Sequence, residues 1–393
     1  MARLLPLLCV LLVGCGAPLT APPTASPDKA KAEAVLKIVR DTMAERHLKA
    51  VIVRVTVGGK EVLTQAVGDS MTGVPATPQM HFRNGAVAIS YVSTLLLKLV
   101  DEKKVRLDDK LSRWLPDIPN ADRVTLGQLA QMTSGYPDYV LGNDAFSAAL
   151  YADPFKQWTT DELLAQVLSR PLLYPPGTNW NYAHTNYLLL GLALEKLTGE
   201  DMPKLLSDKV LKPLGLSQTA NSDTPEIPSP VLHAFSAERG KYEETTFWNP
   251  SWTITHGAIQ TTNIYDLEAT ARGIGSGRLL SPESYKQMVS TDLRGKTRAQ
   301  PDCPTCAEQN DIYTYGLGVV ISGNWLLQNP MFAGYAGVEA YLPSQKIALA
   351  VVTTFTEQAF DAQGNYDNEA DTLFRRIGAE LVRGDAPPHP PAK

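Results

Sequence analysis

Val51 to Val57 is β-branched and alternating, the Gly58-Gly59 pair supplies a turn, and Glu61 to Val67 returns as a second strand. That pattern predicts a β-hairpin. Before it, Val35, Leu36, Val39 and Met43 fall on one face of a helix beginning near Ala30, with Ser26 or Asp28 available as a cap. The period changes at Phe82. From Gly85 to Lys98 the chain reads as an apolar helix with almost no polar interruption. Helices are predicted over Ala86 to Glu102, Thr125 to Met132, Thr160 to Ser169, Asn186 to Thr198 and Met202 to Leu211. Strand character resumes at Tyr315 to Ser322, Ala333 to Leu342 and Ile347 to Thr354. A last helix then carries Ala370, Leu373, Phe374, Ile377 and Leu381 on one buried face. Strands at both ends with helices between them predict an α/β (α+β) chain: one antiparallel sheet built from distant segments, flanked by the N- and C-terminal helices, with an all-α subdomain of about residues 86–260 inserted. The folded unit is expected over residues 30–383, followed by a disordered tail at 384–393. No internal repeat is visible.

Composition adds an address. The first residues, MARLLPLLCVLLVGCG, have a basic start at Arg3, an apolar run and then Leu12-Val13-Gly14-Cys15. This resembles a bacterial lipoprotein signal over residues 1–14, with Cys15 becoming the lipidated first residue of an exported protein anchored to the bacterial cell membrane. Residues 15–29, rich in proline and alanine, cannot bury a core and read as a tether. The formal charge of −5, falling to −6 without Arg3, gives no electrostatic footprint for nucleic acid. With Cys9 in the signal and Cys15 lipidated, Cys303 and Cys306 remain, as CPTC in a polar stretch. Outside the cytosol they read as a local disulfide pinning a loop. A redox motif would need a helix start in a βαβ unit and a zinc site two more ligands, and neither is visible, so no metal or cofactor is expected.

The segments HFRNGAVAISYVSTLLLKLVDEKKVRLDDKLSRWLPDIPNADRVTLGQLAQMTSGYPDY, YPPGTNWNYAHTNYLLLGLALEKLTG, GRLLSPESYKQM and FAGYAGVEAYLPSQKIALAVVTT, in this order, resemble the serine β-lactamase (class C) and D-alanyl-D-alanine peptidase superfamily of penicillin-binding-protein-like serine hydrolases. The resemblance implies a serine at the helix start, a lysine three residues on that activates it, a Tyr-x-Asn motif, and a strand motif of Lys or His, Thr or Ser, then Gly. It also implies an oxyanion hole of two backbone N–H groups. At these positions the chain has Ala86 for the serine and Ile89 for the lysine. Tyr182-Ala183-His184 stands for the tyrosine motif, and Tyr335-Ala336-Gly337 is read as the strand motif. The N–H groups of Ala86 and Val338 are then the expected oxyanion donors.

No substitute nucleophile stands out. Ser90 and Ser93 lie further along the same apolar helix, where core positions are expected. The sole Ser-x-x-Lys, Ser26 to Lys29, is in the tether, no Gly-x-Ser-x-Gly elbow exists, and Ser134 reads as a turn residue. Without a cation at position 89 the Tyr182 phenol has no reason to ionise. His184 and His256 have no metal-binding spacing, and the run TFWNPSWTITH, Thr246 to His256, reads as a cleft wall or as loop packing. Losing the nucleophile of a serine hydrolase can cost on the order of a millionfold in turnover. The expectation is therefore an envelope-anchored homologue without serine chemistry, using the old cleft for a peptide, a cell-wall fragment or a protein partner. The alternatives are an active hydrolase with an unconventional nucleophile and a scaffold with no ligand.

Overall fold

The computed structural model describes residues 29–256 and 258–390. The signal sequence, Cys15 and nearly all of the tether, Ser26 and Asp28 included, lie outside the described residues. The hairpin expected at the N-terminal end forms from Leu48–Val57 and Lys60–Met71, preceded by a helix over Lys29–Glu45. It joins a nine-stranded sheet in the order Val74–Pro75, Lys60–Met71, Leu48–Val57, Ile347–Phe355, Tyr335–Leu342, Trp325–Gln328, Val320–Ser322 and Thr314–Tyr315, with Met331–Phe332 also paired to Tyr335–Leu342. The ladders between these strands are antiparallel, and the long C-terminal hairpin sits at the centre with Val338 opposite Val351. Every residue of Tyr335–Leu342 and Ile347–Phe355 is buried. A strand buried on both faces loses its alternation, and that is why these two read as continuous apolar runs.

The cover comes from three helices. Lys29–Glu45 and Glu369–Leu381 pack on each other and on the sheet. Ile264–Gly275 packs on the same central strands, where Ala271 meets Tyr341 and Ala348 in a small apolar cluster of their own. The sequence pattern did not assign this helix, although Ile264, Leu267, Ala271 and Ile274 have helical spacing and Asn263 caps it by accepting hydrogen bonds from the N–H groups of Tyr265 and Asp266. It is also tied to the hairpin by charge. Thr56 Oγ1 donates to the buried Glu268 at 2.7 Å and Arg54 Nε lies 3.5 Å from the same carboxylate, which also accepts from Arg272 Nε of its own helix at 3.2 Å.

The inserted region departs from the expectation in two respects. It is not purely helical: Phe82–Arg83, Gln260–Thr262 and Ala220–Asn221 form a three-stranded sheet, and Phe235–Ser236 pairs with Glu243–Glu244. The three-stranded sheet joins residues far apart in sequence, so no local pattern announces it. The helix expected over Met202 to Leu211 spans Met202–Leu206, widens through a π turn at Ser207–Leu211 and closes at Lys212–Leu214 before Gly215. Part of the segment expected as a disordered tail, Asp385 to Pro388, lies against the fold, while His389 and Pro390 are exposed. Asp385 accepts hydrogen bonds from Asn324 and from the Trp325 indole, both at 2.7 Å, and Arg375 donates to the carbonyl of Pro388. A proline-rich segment offers carbonyl acceptors even where it cannot form a helix, and this one lies against Trp325, Gly323 and Gly378.

Glu339 is the exception in the central strands. It is 3% exposed, faces Ala271, Ile274 and Leu326, and its side chain has no hydrogen-bond partner among the described residues, so burial alone pushes its carboxyl well above the usual carboxylate range. A carboxyl protonated in the fold and ionised in the unfolded chain releases a proton on unfolding. Native stability therefore falls as pH rises from the unfolded value of 4.5. Glu339→Gln should raise unfolding stability at pH 7 by at least about 1 kcal/mol, with the gain vanishing near pH 4, in thermal or denaturant unfolding followed across pH. No gain at pH 7 would mean that the carboxylate is solvated in the native state.

Candidate functional site

The apolar helix expected from Gly85 runs over Val87–Asp101, and its residues Val87 through Leu97 are all buried. Two features set its start. Asn84 is clamped to Gln260 by three hydrogen bonds, one backbone to backbone at 3.0 Å and two through the side chains at 2.8 and 3.0 Å. Gly85 then turns the chain with φ +53°. A Cβ on Gly85 would lie 2.6 Å from Pro330 Cβ, so only glycine allows the helix start to touch the strand segment opposite. Ala86 follows as the helix cap and makes no side-chain capping bond.

Ala86 and Gly85 open onto a cavity of about 440 Å³. One wall is Tyr182 and His184, at the start of the helix His184–Thr198; a second is the segment Gln328 to Ala333; a third combines Trp248, Trp252 and Ile254 with Leu150 and Tyr151 from the helix Asp144–Ala152. Trp252 stacks on Phe332 with ring centres 5.7 Å apart at 16°. The aromatic run Thr246 to His256 thus contributes directly to the cleft, at Trp248, Trp252, Thr253 and Ile254.

His184 is held by Asp138, which is 3% exposed. The Asp138 carboxylate lies 3.0 Å from His184 Nδ1 and accepts the His184 backbone N–H at 3.1 Å and the N–H groups of Val140 and Leu141 at 3.2 and 3.1 Å. One buried carboxylate thereby fixes both the imidazole and the loop that carries Val140 and Leu141. Burial pushes the Tyr182 phenol upward, with Tyr313, Asp138 and Tyr187 nearby adding to the effect. It remains a neutral donor.

Ile89 is 1% exposed and belongs to the main core; it does not reach the cavity. Ser90 Oγ donates to the Val87 carbonyl at 2.7 Å and Ser93 Oγ shares a 2.6 Å hydrogen bond with the Tyr187 hydroxyl, both in the core. Ser134 is buried and donates to Asn186 at 2.5 Å. His256 is exposed, 3.6 Å from Asp223, and does not share the cavity with His184. Among the described residues no group of His, Cys, Asp and Glu could hold a metal ion. Cys303 and Cys306 are joined in a disulfide.

The strand motif is corrected. Tyr335 is 2% exposed and donates its hydroxyl to the Leu232 carbonyl; Ala336 and Val338 are paired with Thr353 and Val351 inside the sheet; Gly337 donates its N–H to the Pro330 carbonyl at 2.9 Å. None of the four lines the cavity, so Val338 is not an oxyanion donor facing Ala86. The segment that does face it is Gln328-Asn329-Pro330-Met331. The misreading has a physical source: Trp325–Gln328 forms a strand beside Tyr335–Leu342, with Leu327 opposite Ala340, and this extra strand delivers the chain to the cleft before Tyr335 is reached. The Gln328 amide is occupied by the Gly318 carbonyl at 2.8 Å and that of Asn329 by Asp371 at 3.3 Å, while Pro330 has no N–H. The wall opposite Ala86 therefore has neither a cation nor a hydroxyl at these three positions.

Sequence reasoning also missed Asp138 and Glu238. Asp138 follows the Thr-Ser-Gly-Tyr-Pro turn and was near the expected site; Glu238, in a loop with no motif around it, had no local signal.

A large antiparallel sheet with terminal helices, and a cleft between it and a mostly helical insertion at the start of a buried helix, define the β-lactamase and transpeptidase-like class. The chain belongs to the Beta-lactamase family, whose model matches residues 35–374. It is 33% identical over 186 residues to penicillin-binding protein 4 of Amycolatopsis lactamdurans, a match that spans 44% of this chain and 45% of that one. Among solved structures, a D-stereospecific amidohydrolase from Streptomyces sp. superposes with a TM-score of 0.73 at 22% identity, covering 90% of this chain and 99% of the other. The D-amino acid amidase of Ochrobactrum anthropi SV3, complexed with D-phenylalanine, gives 0.74 at 19% identity, covering 90% and 99%. At these identities the two structures speak for the fold.

Gly85→Ala tests the contact that shapes the cleft. The left-handed backbone costs a non-glycine residue about 1–2 kcal/mol, and the Cβ must also displace Pro330. A loss of at least that size is expected in denaturant unfolding, together with changed tryptophan emission from Trp252. A fully tolerated alanine would show that the approach is loose.

Proposed function

We propose that this protein does not carry out serine acyl transfer, and that the former active-site cleft binds a ligand on an exported protein anchored through lipid at Cys15. The observation that carries this reading is the helix start: Ala86 opens on the cavity where the family places its nucleophile, and Ile89, in the lysine position, is buried in the core. Two further points support it. Among the described residues the cavity lining contains neither lysine nor arginine, and its single serine, Ser147, makes no hydrogen bond from its hydroxyl to a basic group. The ligand is expected among peptides, cell-wall fragments or partner proteins.

The alternative reading, hydrolysis by an unconventional nucleophile, has Ser147 as its candidate in the cavity. Incubation with a fluorescent penicillin and with a fluorophosphonate serine probe, followed by intact-mass measurement, separates the two. No adduct is expected; a stoichiometric adduct, on Ser147 or any other serine, overturns the proposal.

Restoring the missing pair should fail. The Ile89→Lys substitution would place an ammonium in a site that is 1% exposed, at a cost of roughly several kcal/mol. The wall at Gln328, Asn329 and Pro330 would still lack its basic and hydroxyl groups. The expected outcome for Ala86→Ser with Ile89→Lys is lower thermal stability and no measurable turnover of nitrocefin or D-phenylalanine amide. Appreciable turnover by the double variant would show that the rest of the machinery is intact.

A further inference from the structure

The end of the cavity formed by Tyr151, Trp248, Tyr366 and Glu238 has a chemistry of its own. Glu238 lies just beyond the short strand Phe235–Ser236 and lines the cavity. Its carboxylate accepts hydrogen bonds from two neutral donors, Ser236 Oγ at 2.7 Å and the Tyr151 hydroxyl at 3.1 Å. No lysine, arginine or histidine forms an ion pair with it among the described residues, and the adjacent Arg239 is turned to Glu243 at 3.0 Å. Burial pushes the Glu238 carboxyl up from its ordinary value, as expected for an acid held away from water without a counter-charge. Around it are the rings of Tyr151 and Trp248, with centres 6.2 Å apart at 57°, and of Tyr366.

A free carboxylate on a ligand would meet this acid with no lysine or arginine in the lining to offset the repulsion. An ammonium would meet a carboxylate flanked by the aromatic side chains of Tyr151, Trp248 and Tyr366, a combination that favours organic cations out of water. Toward Ala86 the walls become apolar, through Trp252, Ile254 and Phe332. We propose that the cavity binds an organic ammonium ion with an aromatic or alkyl body, its charged head against Glu238 and its body lying along Trp252 and Phe332. The volume of about 440 Å³ suits a small molecule or the terminus of a longer one. The proposal rests on the reading of the cleft as a binding site and supplies the class of its ligand.

The test titrates the full chain with 4-phenylbutylammonium, 4-phenylbutan-1-ol and 4-phenylbutanoate, following tryptophan fluorescence and calorimetric heat. The ammonium should bind at least tenfold more tightly than the alcohol, and the carboxylate more weakly than both. Glu238→Gln should reduce ammonium affinity at least tenfold, to that of the alcohol, while alcohol affinity stays within twofold; the retained alcohol binding also shows that the variant is folded. Tyr151→Phe, which keeps the ring but not the hydrogen bond, should retain the preference for the ammonium. Equal affinity for ammonium and alcohol, tighter binding of the carboxylate, no saturable binding by any of the three, or an unchanged ammonium affinity in Glu238→Gln overturns the proposal. Those results leave the non-acylating reading standing, whereas a serine adduct removes that reading without bearing on the charge preference.

Discussion

The cleft exists because the backbone at Gly85 can come within van der Waals reach of Pro330. A left-handed residue at this point ends the short strand Phe82–Arg83 and starts a helix in the space of two residues, and the missing Cβ leaves room for the opposite strand segment. The clamp between Asn84 and Gln260 holds the turn from behind. From there the helix Val87–Asp101 is buried along most of its length, so its position is fixed by packing on nearly every side. Sheet and insertion meet at this turn, and a displaced turn would change the shape of every wall of the cavity.

The backbone frame and the side chains it presents tell different stories. A glycine-led helix, a tyrosine at the start of a second helix and a strand segment opposite them converge on one cavity, as expected of the family. What faces inward at the corresponding positions is a methyl group at Ala86, an imidazole fixed by Asp138 at His184, and two amides already committed to Gly318 and Asp371 at Gln328 and Asn329. Among the described residues the only carboxylate in the lining is Glu238, and no basic side chain accompanies it apart from the imidazole of His184. Since charge complementarity governs which ligands a small desolvated cavity accepts, this lining carries a negative rather than a positive bias.

Much of the fold was legible because its signals are local. The β-branched hairpin at Val51 to Val67, the apolar runs of the C-terminal hairpin and the helical stripe from Ala370 to Leu381 each depend on burial of one or two faces by a regular element. The helix start at Ala86 was legible for the same reason, and through its resemblance to a family pattern. The strand at Trp325–Gln328 was not, because four residues give too short a period to read. Its omission moved the strand motif along the chain from Gln328 to Tyr335. Glu238 and Asp138 were illegible in a stricter sense. Their roles depend on Tyr151 and His184, which chain folding alone brings to them.

The isoleucine at position 89 also bears on the stability of this frame. A buried ammonium is maintained at a cost in stability, because desolvation of the charge must be offset by partners placed around it. Isoleucine in the same buried position removes that charge and adds apolar contact within the main core. Enzymes commonly accept strain and unfavourable charge at their sites for the sake of reactivity, and relief of either raises stability where reactivity is no longer needed. Glu339 is not a counter-example, because burial holds its carboxyl in the protonated, uncharged form in the native state.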